Sequence, residues 1–93
     1  MLLSRIDIAN ALSPLTGWSY NDNRIEKDFS FGDFGDALKF INMIGEKAEK
    51  MNHHPDMLLH GYRHVTVMIT SHDAGGVTSK DFTLAHAIAD LVK

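Results

Sequence analysis

The chain is 93 residues long, carries a net charge of −3 and contains no cysteine. The missing cysteines exclude disulfides and thiolate metal sites, and without a cluster of basic residues we expect no direct contact with nucleic acid. No apolar run approaches the roughly 20 residues that a membrane span requires. Charges at Arg5 and Asp7 argue against a signal peptide. We therefore expect one cytoplasmic domain over residues 1–93.

The first predicted elements are a short helix and a β-hairpin. Ser4 suits the N-cap of the helix, with Asp7 at the third helical position and a hydrophobic staple between Leu3 and Ile8. The hairpin strands are predicted at residues 18–21 and 24–31, because both alternate in part and Asn-Asp-Asn turn chemistry separates them.

A long second helix is predicted after Gly32 and Asp33, where apolar residues recur at helical spacing. It would run for about 19 residues, or roughly 28 Å, until Pro55 forbids its continuation. Phe40 and Met43 would form a second apolar strip beside the main stripe. The main stripe consists of Phe34, Ala37, Leu38, Ile41, Ile44, Ala48 and Met51.

Two strands and a third helix complete the prediction. The strands are expected at residues 56–60 and 62–71, with apolar Val65, Val67 and Ile69 facing one way. Thr78 would cap the last helix, with Asp81 at its third position. The opposite face of the longer strand would carry His64, Thr66, Met68, Thr70 and His72.

The predicted order is α-β-β-α-β-β-α, which defines an α+β domain. We expect a four-stranded antiparallel sheet with the helices on one face. Such a sheet has at least one unprotected edge, and exposed edges invite pairing with another chain. The sequence therefore predicts a homodimer or a homotetramer.

Three of the six histidines suggest acid–base chemistry. His53 and His54 end the long helix immediately before Pro55, and His72 follows a predicted strand. Histidines at a helix C-terminus can simply complement the helix dipole. Rigidly held imidazoles also suit proton transfer, because histidine titrates near neutral pH. Both interpretations remain open at this point.

The other histidines are predicted to be structural or exposed. His86 lies beside the buried stripe of the last helix, on its surface. His60 and His64 are four residues apart, and strand rise would separate them by roughly 13 Å. A zinc site built from the three histidines above is conceivable. Adjacent side chains usually point apart and no HExxH spacing exists, so we predict no metal.

The run from Glu49 through His53-His54-Pro55, with "TSHDAGGVTSKDFTLA" over residues 70–85, resembles the pterin-4a-carbinolamine dehydratase family. "TGW" at residues 16–18 and the "F-x-D-F-x-x-A-L" pattern at residues 31–38 extend the resemblance over nearly the whole chain. The resemblance implies dehydration of 4a-hydroxytetrahydropterin to quinonoid dihydropterin without a cofactor. It implies the same fold as the predicted element order.

The resemblance also implies particular site residues. Glu49 lies one helical turn before His53, where it would orient or charge that imidazole. The alternative is a solvated ion pair between Glu49 and Lys47 or Lys50. For Asp81, a role as the carboxylate at the start of its helix would be sufficient by itself. Any part in the site would then consist only of ordering the His72 loop. Acid and base roles between His53 and His72 are left open. The implied catalytic residues are His53, His54 and His72, and the implied substrate-binding residues are Glu49, Pro55, Thr70, Ser71 and Asp81.

The chain departs from the common family pattern after Pro55. Met57 stands where many members have an aromatic residue, and one extra residue precedes Tyr62, which predicts a β-bulge. Some relatives act as dimerisation cofactors of a homeodomain transcription factor, so an interaction module is the alternative function. Another pterin or molybdopterin role would keep the site and change the substrate. The intact histidine set favours an enzyme.

Overall fold

The structure is a computed structural model that describes residues 1–92. Within these residues the element order is α-β-β-α-β-β-α, as predicted, and the fold is of the α+β class. The predicted domain end at Lys93 lies outside the described residues. The helices are α1 (Arg5–Leu12), α2 (Phe34–Met51) and α3 (Ser79–Leu91), and the strands are β1 (Ser19–Asn21), β2 (Arg24–Ser30), β3 (Asp56–His60) and β4 (His64–Ile69).

The four strands form one antiparallel sheet in the order β1-β2-β4-β3, so β1 and β3 are its edges. The predicted bulge in β3 is wrong, because β3 pairs with β4 without interruption from Asp56–Met68 to His60–His64. The two strands are joined by a turn at residues 61–63. Gly61 and Tyr62 both have a φ of +54° there.

Short-range capping interactions start each helix. The Ser4 hydroxyl accepts the backbone N–H of Asp7 at 3.1 Å, which confirms the predicted cap of α1. Thr78 and Asp81 form a reciprocal capping box at the start of α3, also as predicted. These bonds satisfy backbone N–H groups that have no partner within the helix.

The core lies between the inner face of the sheet and the helices. Val65, Val67 and Ile69 of β4 are completely buried, which confirms the predicted apolar face. The centre of α3 packs onto the same core through Leu84 and Ile88, which are also completely buried. None of the helices in residues 1–92 combines the length and apolar character that crossing a membrane requires.

The orientation of α2 agrees with the prediction only in part: Ala37, Ile44 and Ala48 of the predicted stripe are buried. Phe40, expected on a second surface strip, is buried with its ring centroid 4.7 Å from that of Phe29 and 4.9 Å from that of Phe31. Phe34 and Leu38, expected in the buried stripe, are exposed. The apolar residues of α2 cover a wider arc than the core can bury. Their spacing therefore predicted a helix without deciding which flank faces solvent.

Candidate active site

The chain forms a tight loop between β4 and α3, and this loop carries His72. Ser71 pairs with Gly76 in an isolated bridge, and a 3₁₀ turn occupies residues His72–Ala74. Gly75 closes the loop with a φ of +80°, a backbone conformation that favours glycine. His72 therefore lies on this turn and not on the outer face of the sheet as predicted, because β4 already ends at Ile69.

The two histidines that follow α2 lie in different environments. Asn52 adopts a left-handed conformation with a φ of +51°, and the backbone N–H of His53 donates to the Ala48 carbonyl at 3.1 Å. A left-handed residue at this position is a common way to end a helix. His53 is consequently half-buried against α3, while His54 is exposed.

Asp81 connects three parts of the chain through its carboxylate. Its side chain is completely buried, and Oδ1 lies 2.6 Å from Nε2 of His53. Oδ2 accepts from the Ser71 hydroxyl at 2.9 Å and from the Thr78 N–H at 2.7 Å. Both carboxylate oxygens are therefore used. Asp81 caps α3, as the simpler interpretation held, and it also contacts an imidazole.

The contact with Asp81 determines which ring nitrogen of His53 carries hydrogen. A carboxylate can only accept, so we assign the proton of the neutral imidazole to Nε2. Nδ1 then keeps its lone pair. A buried carboxylate that holds an imidazole in one tautomer is an arrangement that enzymes use to orient a general base.

Glu49 contacts a different histidine from the predicted one. Its Oε2 lies 2.5 Å from Nε2 of His54, and both side chains are largely exposed. The expected i, i+4 contact with His53 is wrong because α2 ends at Met51, before the helical geometry reaches that residue. The left-handed Asn52 then turns His53 towards Asp81 and leaves His54 beside Glu49.

A cleft of about 300 Å³ brings the three predicted catalytic histidines together with Thr70. Ser71 and Asp81 do not line the cleft themselves. Asp81 contacts both Ser71 and His53, and His53 is part of the lining. Pro55 does not line the cleft. Sequence reasoning missed two of the lining residues, although an asparagine just after the helix end was a sign of a left-handed residue. The lining consists of Asn52, His53, His54, Thr70, His72 and Asp73.

Two further observations concern a possible metal site and a second, larger groove. Within residues 1–92 no group of three or more histidine, aspartate or glutamate side chains is arranged to hold a metal ion, so the zinc alternative has no geometric support. A larger groove of about 730 Å³ lies between α2 and β3, but it contains none of the histidines. Its lining consists of Ile41, Asn42, Gly45, Glu46, Glu49, Lys50 and Met57.

The fold and the site define a small α+β domain with a carboxylate-supported histidine centre. Residues 1–91 match the family model for pterin 4 alpha carbinolamine dehydratase, so the chain belongs to that family. A relative from Sulfurisphaera tokodaii, named "Putative pterin-4-alpha-carbinolamine dehydratase", is 43% identical over 97% of this chain and 96% of its own length. A relative of the same name from Thermosynechococcus vestitus is 42% identical over 96% and 93%.

Two solved structures share the fold. The crystal structure of a "transcriptional coactivator/pterin dehydratase" from Brucella melitensis matches with a TM-score of 0.94 and 30% identity over the whole of both chains. A pterin dehydratase-like protein described as a RuBisCO assembly factor in the alpha-carboxysome matches with a TM-score of 0.67 and 18% identity, over 83% of this chain and 90% of that one. The second likeness concerns the fold alone.

Proposed function

We propose that this protein dehydrates a 4a-hydroxytetrahydropterin to the quinonoid dihydropterin, with histidines as acid and base. The observation that carries the proposal is the 2.6 Å contact between His53 and the buried Asp81, beside a cleft that also contains His54 and His72. A scaffold has no need for an imidazole oriented in this way. Family membership supplies the substrate class.

The reaction requires two proton transfers on a flat ring. The hydroxyl on carbon 4a takes up a proton and departs as water, while nitrogen 5 loses its proton. The electron pair of nitrogen 5 then forms the double bond to carbon 4a. One general acid and one general base are sufficient for this change, and neither oxidation nor a covalent intermediate is involved.

The geometry favours different roles for the histidines. His53 serves as the base through Nδ1, and the Asp81 carboxylate stabilises the imidazolium that forms. His72 is exposed on its 3₁₀ turn, and its side chain makes no hydrogen bond to the residues that the structure describes. It is therefore available to protonate the departing hydroxyl. His54, held by Glu49, borders the cleft and positions the pterin.

Most of the implied substrate-binding residues act through other residues in this proposal. The Thr70 hydroxyl donates to the Asn23 carbonyl at 2.7 Å, which fixes the β1–β2 turn beside the cleft. Ser71 orients the carboxylate of Asp81. Glu49 orients His54, and an exposed contact of this kind contributes less than about 1 kcal/mol.

Turnover of the carbinolamine, followed spectrophotometrically, is the experiment that tests the proposal. We expect the purified protein to accelerate dehydration clearly above the enzyme-free rate, and a pterin to bind in a titration. The alternative is an interaction module, because the Brucella melitensis relative is described as a transcriptional coactivator as well as a pterin dehydratase. Pterin binding without turnover would favour another pterin role, and absence of both would favour the interaction module.

Treatment with a chelator should leave the dehydration rate unchanged. The proposed chemistry uses imidazoles only, and no three-ligand metal group occurs among residues 1–92. Prolonged dialysis against EDTA followed by rate measurement checks this, with an untreated sample as the control. Loss of activity that added zinc restores would show that the histidines are ligands.

The protein should form at least a homodimer at micromolar concentration. β3 is an edge strand of five residues, and α2 exposes Phe34 and Leu38. Unpaired strand edges and exposed apolar side chains both favour association. Light scattering measures the mass directly, and a monomer of 10.4 kDa would contradict this expectation.

A further inference from the structure

A second pair of histidines, which the proposed function does not use, lies at the far end of the sheet. His60 and His64 are opposite one another on β3 and β4, with ring centroids 5.6 Å apart and ring planes at 32°. The predicted separation of roughly 13 Å is wrong, because it extended the rise of a strand across the break at Gly61. The turn at residues 61–63 folds the chain back and brings the two imidazoles together.

Hydrogen bonding determines the tautomer of His60. The Thr66 hydroxyl donates its single hydrogen to Oδ1 of Asp28 at 2.6 Å. Towards Nε2 of His60, 2.9 Å away, the same oxygen can then only accept. Nε2 of the neutral imidazole therefore carries the hydrogen. Nδ1 is left with a free lone pair.

His64 has a hydrogen-bond partner on a neighbouring strand, and the turn leaves space for its ring. Its Nδ1 lies 2.8 Å from the Ser30 hydroxyl, which accepts a hydrogen bond when Nδ1 is protonated and so leaves Nε2 free. A Cβ atom added at Gly61 would lie only 2.8 Å from Cδ2 of His64. The glycine therefore allows the imidazole to lie against the turn.

We propose that His60 and His64 bind a first-row divalent cation such as Zn²⁺ through Nδ1 and Nε2 respectively, with water completing the coordination. Zinc–nitrogen bonds of about 2.1 Å place the ion about 3.2 Å from each ring centroid, so two imidazoles at a tetrahedral angle have centroids about 5.2 Å apart. The observed 5.6 Å is close to that separation.

The hydrogen-bond partners of the two imidazoles are of the kind that orient histidine ligands in metal sites. Metal-bound histidines usually donate their second ring N–H to a carboxylate, a carbonyl or another oxygen. Here His60 donates to Thr66, which in turn is held by the carboxylate of Asp28. His64 has Ser30 in the same role. His60 is exposed, so an ion and its waters can reach the pair.

Titration with Zn²⁺, followed by calorimetry and by the imidazole signals in NMR spectra, tests the proposal. We expect one equivalent to bind and to shift the signals of His60 and His64. His60→Asn and His64→Asn should each weaken binding by at least about tenfold, because each removes one of the two protein ligands. Thr66→Val should weaken it by about tenfold through the lost supporting bond.

The control variant is His86→Asn, which removes an exposed histidine of α3 and should leave Zn²⁺ binding unchanged. Circular dichroism verifies that each variant is folded. None of these variants should alter the dehydration rate, which separates this site from the candidate active site. Unchanged binding in His60→Asn and His64→Asn, or zinc-dependent shifts confined to His53, His54 and His72, would overturn the proposal.

Discussion

His53→Ala and His72→Ala should each lower the turnover number for carbinolamine dehydration by about 10²–10⁴-fold, which corresponds to roughly 3–5 kcal/mol of barrier. The His72 variant should keep its free energy of unfolding within about 0.5 kcal/mol, because the side chain is exposed. The His53 variant should lose about 1–3 kcal/mol, because the buried Asp81 loses a partner. Initial rates and urea unfolding measure both quantities.

Two further variants make this result interpretable. His86→Ala changes an exposed histidine on α3, away from the cleft, and should affect neither rate nor stability. His54→Ala should weaken pterin binding as well as turnover, because His54 borders the cleft. Uncatalysed dehydration is itself facile, so every rate is measured above the enzyme-free background. Folded His53→Ala and His72→Ala proteins within about threefold of the parent, or roughly 0.7 kcal/mol, would refute acid–base roles.

Asp81→Ala should destabilise the protein by about 3–5 kcal/mol and also abolish dehydration. The substitution removes the acceptor of three donors at once, namely Nε2 of His53, the Ser71 hydroxyl and the Thr78 N–H. The Ser71 hydroxyl keeps the Thr78 hydroxyl, 2.8 Å away, as a partner. Each of the other two donors, left without a partner, costs about 1–3 kcal/mol. Urea unfolding gives the loss of stability, and turnover is measured well below the unfolding transition.

The matched control is Asp36→Ala, since Asp36 occupies the equivalent third position of α2 and is exposed. Its loss should cost less than about 1 kcal/mol, the usual value for a carboxylate near a helix N-terminus. Asp81→Asn keeps the size of the side chain and should lose activity with a smaller loss of stability. Equal destabilisation by Asp81→Ala and Asp36→Ala would show that Asp81 contributes to stability only as a helix cap.

Local features of this fold were predictable from the sequence, because their physical causes are local. The caps at Ser4 and Thr78 depend on contacts within three residues, and the alternation in β4 depends only on the pleat of a strand. The burial of Phe40 was not predictable in this way. It depends on aromatic rings from β2 and the following residue, which spacing along α2 cannot reveal.

The candidate site shows the same division. The resemblance to a known family suggested His53, His54 and His72, and the structure places all three around one cleft. The contact between His53 and Asp81 spans 28 residues and depends on how α3 packs near the end of α2. Glu49 contacts His54 and not His53 because the backbone of Asn52 is left-handed. Neither follows from helical periodicity.

Asp81 contacts both the start of α3 and His53, so local unfolding of α3 also disturbs the proposed catalytic centre. Opening of the first turn of α3 breaks the Thr78 N–H bond to Asp81, and the same event frees the carboxylate that orients His53. Hydrogen exchange at the Thr78 amide therefore reports the fraction of molecules in which Asp81 does not orient His53, the proposed base. Conditions that loosen this turn should reduce activity in proportion to that fraction, well before the sheet itself unfolds.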